Sequence, residues 1–202
     1  MLKVGLTGSI AVGKSFVLGV LAGLGCRVLD VDATARDVVE PGTPGMKAVV
    51  DAFGDDILNA AGKLDRAKLG AIVFADETKR LQLNSILHPF IIAAQDKQMR
   101  EWEREDTKSI AVVDAALMIE SGGYRRFDKL VVVHCRPEVQ LARLMTRDGL
   151  SRADAEQRIG AQMQQEDKKK YADFLIDTSE GFEDTRRQTE SLFQKLTALR
   201  RM

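Results

Sequence analysis

The stretch GSIAVGKS, Gly8 to Ser15, decides how the rest of the chain is read. Gly8, Gly13, Lys14 and Ser15 fit the spacing G-x-x-x-x-G-K-[ST], and the match stands where its mechanism needs it, after a strand and at the start of a helix. Upstream, Leu2, Val4 and Leu6 alternate around the small Gly5 and Thr7-Gly8 ends the run, which predicts a short buried strand. Downstream, Val17, Val20, Leu21 and Leu24 recur at helical spacing, and Gly25 is placed to end the helix as its C′ residue. Glycines at such a bend let main-chain N–H groups turn inward, the helix adds about half a positive charge at its N-terminus, and Lys14 supplies a full one. Gly8, Ser9, Ile10, Ala11, Val12, Gly13, Lys14 and Ser15 are therefore predicted to cradle the phosphates of a nucleoside triphosphate, with Ser15 binding the Mg²⁺ that bridges the β- and γ-phosphates.

The composition makes that anion site a local matter. Lys+Arg number 30 and Asp+Glu number 30, so no global charge recruits nucleic acid or an anionic membrane, and neither is expected as a partner. With 202 residues, 45% of them hydrophobic, the chain can bury a sizeable core as one domain carrying an insertion. Cys26 and Cys135 are far apart and form no metal-spaced cluster; they are predicted to be buried small hydrophobes in a reduced, cytoplasmic protein without a leader segment. No run approaches the roughly 18 apolar residues of a membrane span.

Further strands are predicted in CRVLDVD, around Ile110 to Asp114, in KLVVVHC and in ADFLID, giving five in all. Helical patterns between them imply a parallel sheet covered by helices on both faces, the three-layer α/β/α fold of a P-loop nucleotide-binding protein. Between the second and third strands the sequence is strongly helical: Met46, Val49, Val50 and Phe53 form one stripe ended by Gly54, and Leu69, Ile72 and Val73 another. A third helix is expected from about Asp76 to Leu87, with Pro89 opening a fourth. A smaller helical insertion is expected from about Glu138 to Tyr171, with Ser151 and Asp154 as a helix-start pair, and a closing helix packs Leu192, Leu196 and Leu199.

Kinases, GTP-dependent switches and motor ATPases share such a cradle. A switch would need a guanine-reading Asn-Lys-x-Asp run, which is missing, and the one D-x-x-G, Asp51 to Gly54, ends a helix. The kinase reading is favoured by LDVD, where Asp30 and Asp32 are expected at the carboxyl end of the second strand, beside the cradle strand, at the edge where parallel sheets bind ligands. Asp32 is the candidate to take a proton from an attacking hydroxyl, or else it caps the next helix. Four residues on, Arg36 shares its helical face and can hold an anionic part of the acceptor.

At these residues the chain resembles the dephospho-CoA kinase family, and the resemblance runs in order through VGLTGSIAVGKS, VLDVDATARDVVEPG, FGDDIL, GKLDRAKLGAIVF, LNSILHP, IESG, VQLARLMTRDGLS, RIGAQM and ADFLIDTSEG. It implies ATP-dependent phosphorylation of the ribose 3′-hydroxyl of dephospho-CoA, with ATP and Mg²⁺ required and a monomer or weak homo-oligomer as the working form; the alternative is another small-molecule or nucleoside monophosphate-type kinase. By the resemblance Asp32 is the catalytic base, Lys14 and Ser15 hold ATP and metal, and Arg36, His88 and Glu120 belong to the acceptor pocket. Arg143 and Arg147 match basic residues of a mobile lid over the nucleotide phosphates, with Arg143 also catalytic. The implied parts are a nucleotide-binding core of 1–40, 106–137 and 172–202, a helical acceptor lobe of 41–105 and a lid of 138–171.

The residues themselves agree to different degrees. His88 precedes Pro89 and is expected at a helix start, as a ligand contact or a plain turn histidine. Gln140, Arg143 and Arg147 recur along one helix edge, suited to transition-state charge or to solvent, and Lys168, Lys169 and Lys170 read as a surface run. Phe16, Ala116 and Thr178 depart from the family's common threonine, proline and asparagine; Asp114 reads as a metal partner or a loop anchor.

Overall fold

The computed structural model describes residues 1–200, which form two compact units: Met1–Asp30 with Trp102 onward, and Val31–Glu101. In the first unit lie β1 (Leu2–Thr7), α1 (Lys14–Gly23), β2 (Arg27–Asp30), β3 (Ile110–Asp114), β4 (Lys129–His134) and β5 (Phe174–Asp177). The five strands pair in parallel in the order β2-β3-β1-β4-β5. Cradle strand β1 is therefore central, with β3 on one side and β4 on the other.

This order corrects one expectation. β2 does not lie beside β1, because β3, all five of whose residues are buried, takes the inner place, and the more exposed β2 stands at the sheet edge. The strand also stops sooner than LDVD suggested. Asp30 is its last residue, and the chain turns directly into a helix at Val31, so Asp32 belongs to a helix's first turn instead of a strand end.

Alternation along the strands separates two buried faces. Val4, Leu6, Val112, Val131 and Ile176 point to one side, where they pack with Val17 and Leu21 of α1 and with Leu192 and Leu196 of the closing helix. On the other side a Cβ at Gly5 would meet Met118, Leu130 and Phe127, so that position must stay small. Helix α1 ends in a Schellman turn: Gly25 adopts φ +94°, its amide bonds the Ala22 carbonyl, and the Cys26 amide bonds that of Leu21. Between β4 and β5 run α6 (Pro137–Asp148), α7 (Arg152–Gly160) and α8 (Gln165–Lys169). The Ser151 hydroxyl accepts the Asp154 amide at the start of α7, the pairing expected there. The terminal helix would otherwise leave its Leu192/Leu196 stripe in water.

The second unit has its own core of Val39, Met46, Val49, Ile57 and Leu69. Across the 31–101 span run α2 (Val31–Asp37), α3 (Pro44–Phe53), α4 (Arg66–Ala75) and α5, which continues as far as Glu105 from Glu77 (Glu77–Glu105). Side-chain caps start three of these helices: Thr43 accepts the Met46 amide, Asp65 those of Ala67 and Lys68, and Asp76 those of Thr78 and Lys79. Pro89 does not open a helix; it lies inside α5, which runs straight through the position where two helices were expected. Proline cannot donate to the Ser85 carbonyl, but Ser85 is exposed, so water can satisfy that oxygen. Packing of Leu83, Ile86 and Leu87 on the unit's core outweighs the lost bond, and His88 is consequently an exposed mid-helix residue.

The terminal helix, α9 (Phe182–Leu199), joins the sheet's core through Leu196, which is 0% exposed. Leu196→Ala is expected to destabilise the protein by about 2–5 kcal/mol, read as a lower urea midpoint at unchanged slope.

Candidate active site

Between β1 and α1 the backbone makes the bend that the glycines permit. Ala11 and Gly13 adopt left-handed φ values of 61° and 86°. Ala11 bears a cost of about 1–3 kcal/mol for this, which the surrounding contacts must offset. A Cβ on Gly8 would lie 2.5 Å from the Val133 carbonyl oxygen, so β1 can leave the sheet this close to β4 only at a glycine.

Side chains outside the bend hold its carbonyls. The Gln140 amide donates to the Ile10 carbonyl at 2.8 Å and the Thr178 hydroxyl to the Val12 carbonyl at 2.7 Å. In a trans peptide the N–H points opposite to the C=O, so pinning those two oxygens outward turns the Ala11 and Gly13 amides inward. Gln162 Oε1 accepts the Ile10 amide at 2.8 Å, and the Ser9 hydroxyl donates to the Met163 carbonyl at 3.3 Å. Helix α1 then begins at Gly13 with no side-chain cap, leaving its N-terminus open to an anion.

Lys14 and Ser15 occupy the first turn of α1. The Lys14 ammonium pairs with the Asp114 carboxylate, the side chains being 16% and 8% exposed. The register Leu6 opposite Asp114 brings this carboxylate beside the strand that feeds the bend. Ser15 is exposed.

Around the cradle the sequence-predicted residues divide. Arg143 reaches Thr178 with both guanidinium nitrogens, Nη1 to Oγ1 and Nη2 to the carbonyl, each at 2.8 Å. Arg147, one turn on, faces away and forks the Asp148 carboxylate at 2.7 and 3.1 Å, holding that acid below its usual range. The two arginines thus share a helix but not a target, and Gln140, expected on the same polar edge, is buried at 2% exposure. Asp32 and Arg36 stand one turn apart on α2, both exposed, as their spacing implied. Both cysteines are buried, as expected, and burial pushes the Cys135 thiol up and that of Cys26 up to about 11.

Lys168 overturns the surface reading of its run. It is 0% exposed, with its ammonium 2.8 Å from Glu120 Oε1 and 2.7 Å from the Ala116 carbonyl, while Lys169 and Lys170 pair with Glu166 and Asp167 toward solvent. Three consecutive lysines conceal which one faces inward; the available signal was Gln165, three residues earlier on the same helix face, which hydrogen-bonds Gln140 and the Cys135 amide. Gln162 and Met163 were likewise missed as partners of the cradle, since only the fold brings them there.

A central strand, an amide-lined bend, a helix N-terminus with its lysine and a strand-end aspartate beside it define a P-loop nucleotide-binding protein of the α/β class. Comparison with known proteins narrows this. The sequence model of the family described as dephospho-CoA kinase matches residues 2–184. The chain belongs to the dephospho-CoA kinase family. It is 43% identical to the dephospho-CoA kinase of Geobacter metallireducens over 195 residues, 96% of each chain, and 44% identical to that of Carboxydothermus hydrogenoformans over 192 residues, 95% of this chain and 93% of that one. The structure of the dephospho-CoA kinase from Campylobacter jejuni matches with a TM-score of 0.67 at 28% identity, over 96% of both chains. A shikimate kinase from Acinetobacter baumannii, at a TM-score of 0.52 and 18% identity over 98% of this chain and 94% of that one, shares the fold.

The Thr178 hydroxyl is the one group that both donates to the cradle and receives Arg143. Thr178→Val keeps the shape and removes both bonds. It is expected to raise the KM for ATP about tenfold or more and, because the buried Val12 carbonyl loses its donor, to destabilise the fold by about 1–3 kcal/mol; steady-state kinetics with ATP varied and a thermal melt check this.

Proposed function

We propose that this member of the dephospho-CoA kinase family transfers the γ-phosphoryl group of ATP to the ribose 3′-hydroxyl of dephospho-CoA, giving coenzyme A and ADP, with Asp32 taking the hydroxyl proton. The observation that carries the reading is the family match, which spans both the cradle and the segment bearing Asp32, Arg36 and His88. Phosphoryl transfer asks little covalent chemistry of a protein, so positioning and charge balance supply the rate.

In this reading residues 8–15 cradle the β- and γ-phosphates, with the Ala11 and Gly13 amides and the Lys14 ammonium turned to them and Lys14 exchanging one anion, Asp114, for another. Asp32, exposed on the first turn of α2, accepts the proton released as the ribose oxygen bonds to phosphorus. Arg36 holds an anionic group of the acceptor; His88 and Glu120 complete the acceptor's contacts within a lobe of 41–105 and the loop after β3. Residues 138–171 act as the lid. Arg143, already anchored on the cradle's flank, and Arg147 balance the charge on the transferring group.

The donor atoms present fit Mg²⁺. Ser15 offers a hydroxyl and Asp114 a carboxylate, and Mg²⁺ takes one or two such oxygens together with phosphate and water, so the lack of any group of three His, Cys, Asp or Glu side chains able to hold a metal among the described residues is compatible with it. When bound, the ion would neutralise charge on the β- and γ-oxygens. No helix among the described residues is long and apolar enough to cross a membrane. We place the enzyme in the cytoplasm as a monomer or weak homo-oligomer, acting on small molecules and not on nucleic acid or lipid.

A different small-molecule or nucleotide acceptor is disfavoured by full-length identity to dephospho-CoA kinases. An ADP-release assay comparing dephospho-CoA with adenosine, nucleoside monophosphates and shikimate is expected to respond to dephospho-CoA alone; equal response to another acceptor sinks the reading. Asp32→Asn is expected to lower kcat by about 10²–10⁴-fold with the KM for ATP unchanged, whereas near-normal turnover in a folded variant removes Asp32 from its role.

A further inference from the structure

Lys168 is the one lysine or arginine that is fully buried among the described residues. Its ammonium donates to Glu120 Oε2 at 3.1 Å and to the Ala116 carbonyl at 2.7 Å, and lies 2.8 Å from Glu120 Oε1. A buried charge persists only when it is paired and hydrogen-bonded in this way, so the site is built around the ammonium.

Its partners lie on a closed circuit. The Ala116 carbonyl also accepts the hydroxyl of Thr7, the last residue of β1, at 3.2 Å. Two residues before Ala116 stands Asp114, which holds Lys14. On the far side, Glu120 Oε1 accepts the Met163 amide at 3.3 Å, and the Met163 carbonyl accepts the Ser9 hydroxyl of the cradle. Lys168 thus ties residues 115–120 at both ends, to the strand entering the cradle and to the segment that braces it. The Glu120 side chain remains 25% exposed, so its carboxylate is oriented by Lys168 yet still open to solvent.

We propose that Lys168 is a positioning residue for the acceptor: it fixes the Glu120 carboxylate and the loop after β3 relative to the phosphate cradle, and thereby governs affinity for dephospho-CoA and not for ATP. This rests on the reading above that Glu120 belongs to the acceptor pocket. Lys168→Met removes the charge while keeping length and bulk; it frees the carboxylate to turn and leaves Ala116 with the Thr7 hydroxyl alone.

The test measures KM for dephospho-CoA and for ATP separately in Lys168→Met, Glu120→Gln and the double variant, with folding checked by circular dichroism. The expected result is a rise of about tenfold or more in the KM for dephospho-CoA in each single variant, a KM for ATP within about twofold of the parent, and a double variant no worse than the more affected single one, because both changes break the same contact. If Glu120→Gln leaves the acceptor KM unmoved, the acceptor reading of Glu120 falls and this proposal with it. If Glu120→Gln raises it and Lys168→Met changes only the melting temperature, Lys168 is structural and the proposal alone is overturned. Should Lys168→Met fail to fold, Lys168→Gln, whose shorter neutral amide cannot form the ion pair with Glu120, is judged by the same criteria.

Discussion

The Lys14–Asp114 pair joins the bend after the central strand to the end of the strand next to it. Both charges are largely shielded, at 16% and 8% side-chain exposure. Such a pair gains little over apolar neighbours, but losing one member strands the other at a cost of about 3–5 kcal/mol. In the proposed reading, an incoming polyphosphate would meet a lysine already stripped of much of its water, and binding would exchange one anionic partner for another instead of desolvating a free ammonium. A local pair of this kind is what the reading requires of a chain whose 30 basic and 30 acidic residues cancel.

That pair works only if the amides around it face the same way. Backbone groups in a loop choose their direction by what holds the carbonyls, and here the choice is made by Gln140 and Thr178 from α6 and the loop after β5. The cradle is consequently not a property of residues 8–15 alone. Its shape is imposed by segments more than a hundred residues away, among them the insertion between β4 and β5, whose Gln162 and Met163 contact Ile10 and Ser9. Any movement of that insertion must change these bonds, so the lid proposed for residues 138–171 would act directly on the cradle.

Much of this was legible in the sequence, and the failures have physical causes. Short apolar runs located all five strands, because buried strands must alternate or be wholly apolar. Strand order was not legible: the LDVD strand seemed a neighbour of β1, and only the complete burial of β3 against the partial exposure of β2 decides which sits inside. At Pro89 a local rule lost to packing, since Leu83, Ile86 and Leu87 hold α5 in register across a position whose orphaned carbonyl faces water. Lys14, Ser15 and Gly13 could be placed by spacing because the mechanism acts on consecutive residues. Lys168 could not, because what buries it is the Glu120 carboxylate 48 residues away.

The three departures from the family's common pattern show why the site survives them. At Ala116 the atom in use is the carbonyl, which accepts Thr7 and Lys168, and alanine supplies that oxygen as well as proline does. At Thr178 the cradle needs one donor for the Val12 carbonyl and one acceptor for Arg143; a hydroxyl carries both, as an amide would. At Phe16 a hydroxyl is lost, but Ser15 stands one residue earlier, and the ring instead packs on Phe182 at 4.8 Å between centroids with the Arg186 guanidinium over its face at 5.7 Å. At Ala116 and Thr178 the residue present supplies the atom that the cradle's contacts use, whereas at Phe16 the hydroxyl is absent and only the neighbouring Ser15 offers one.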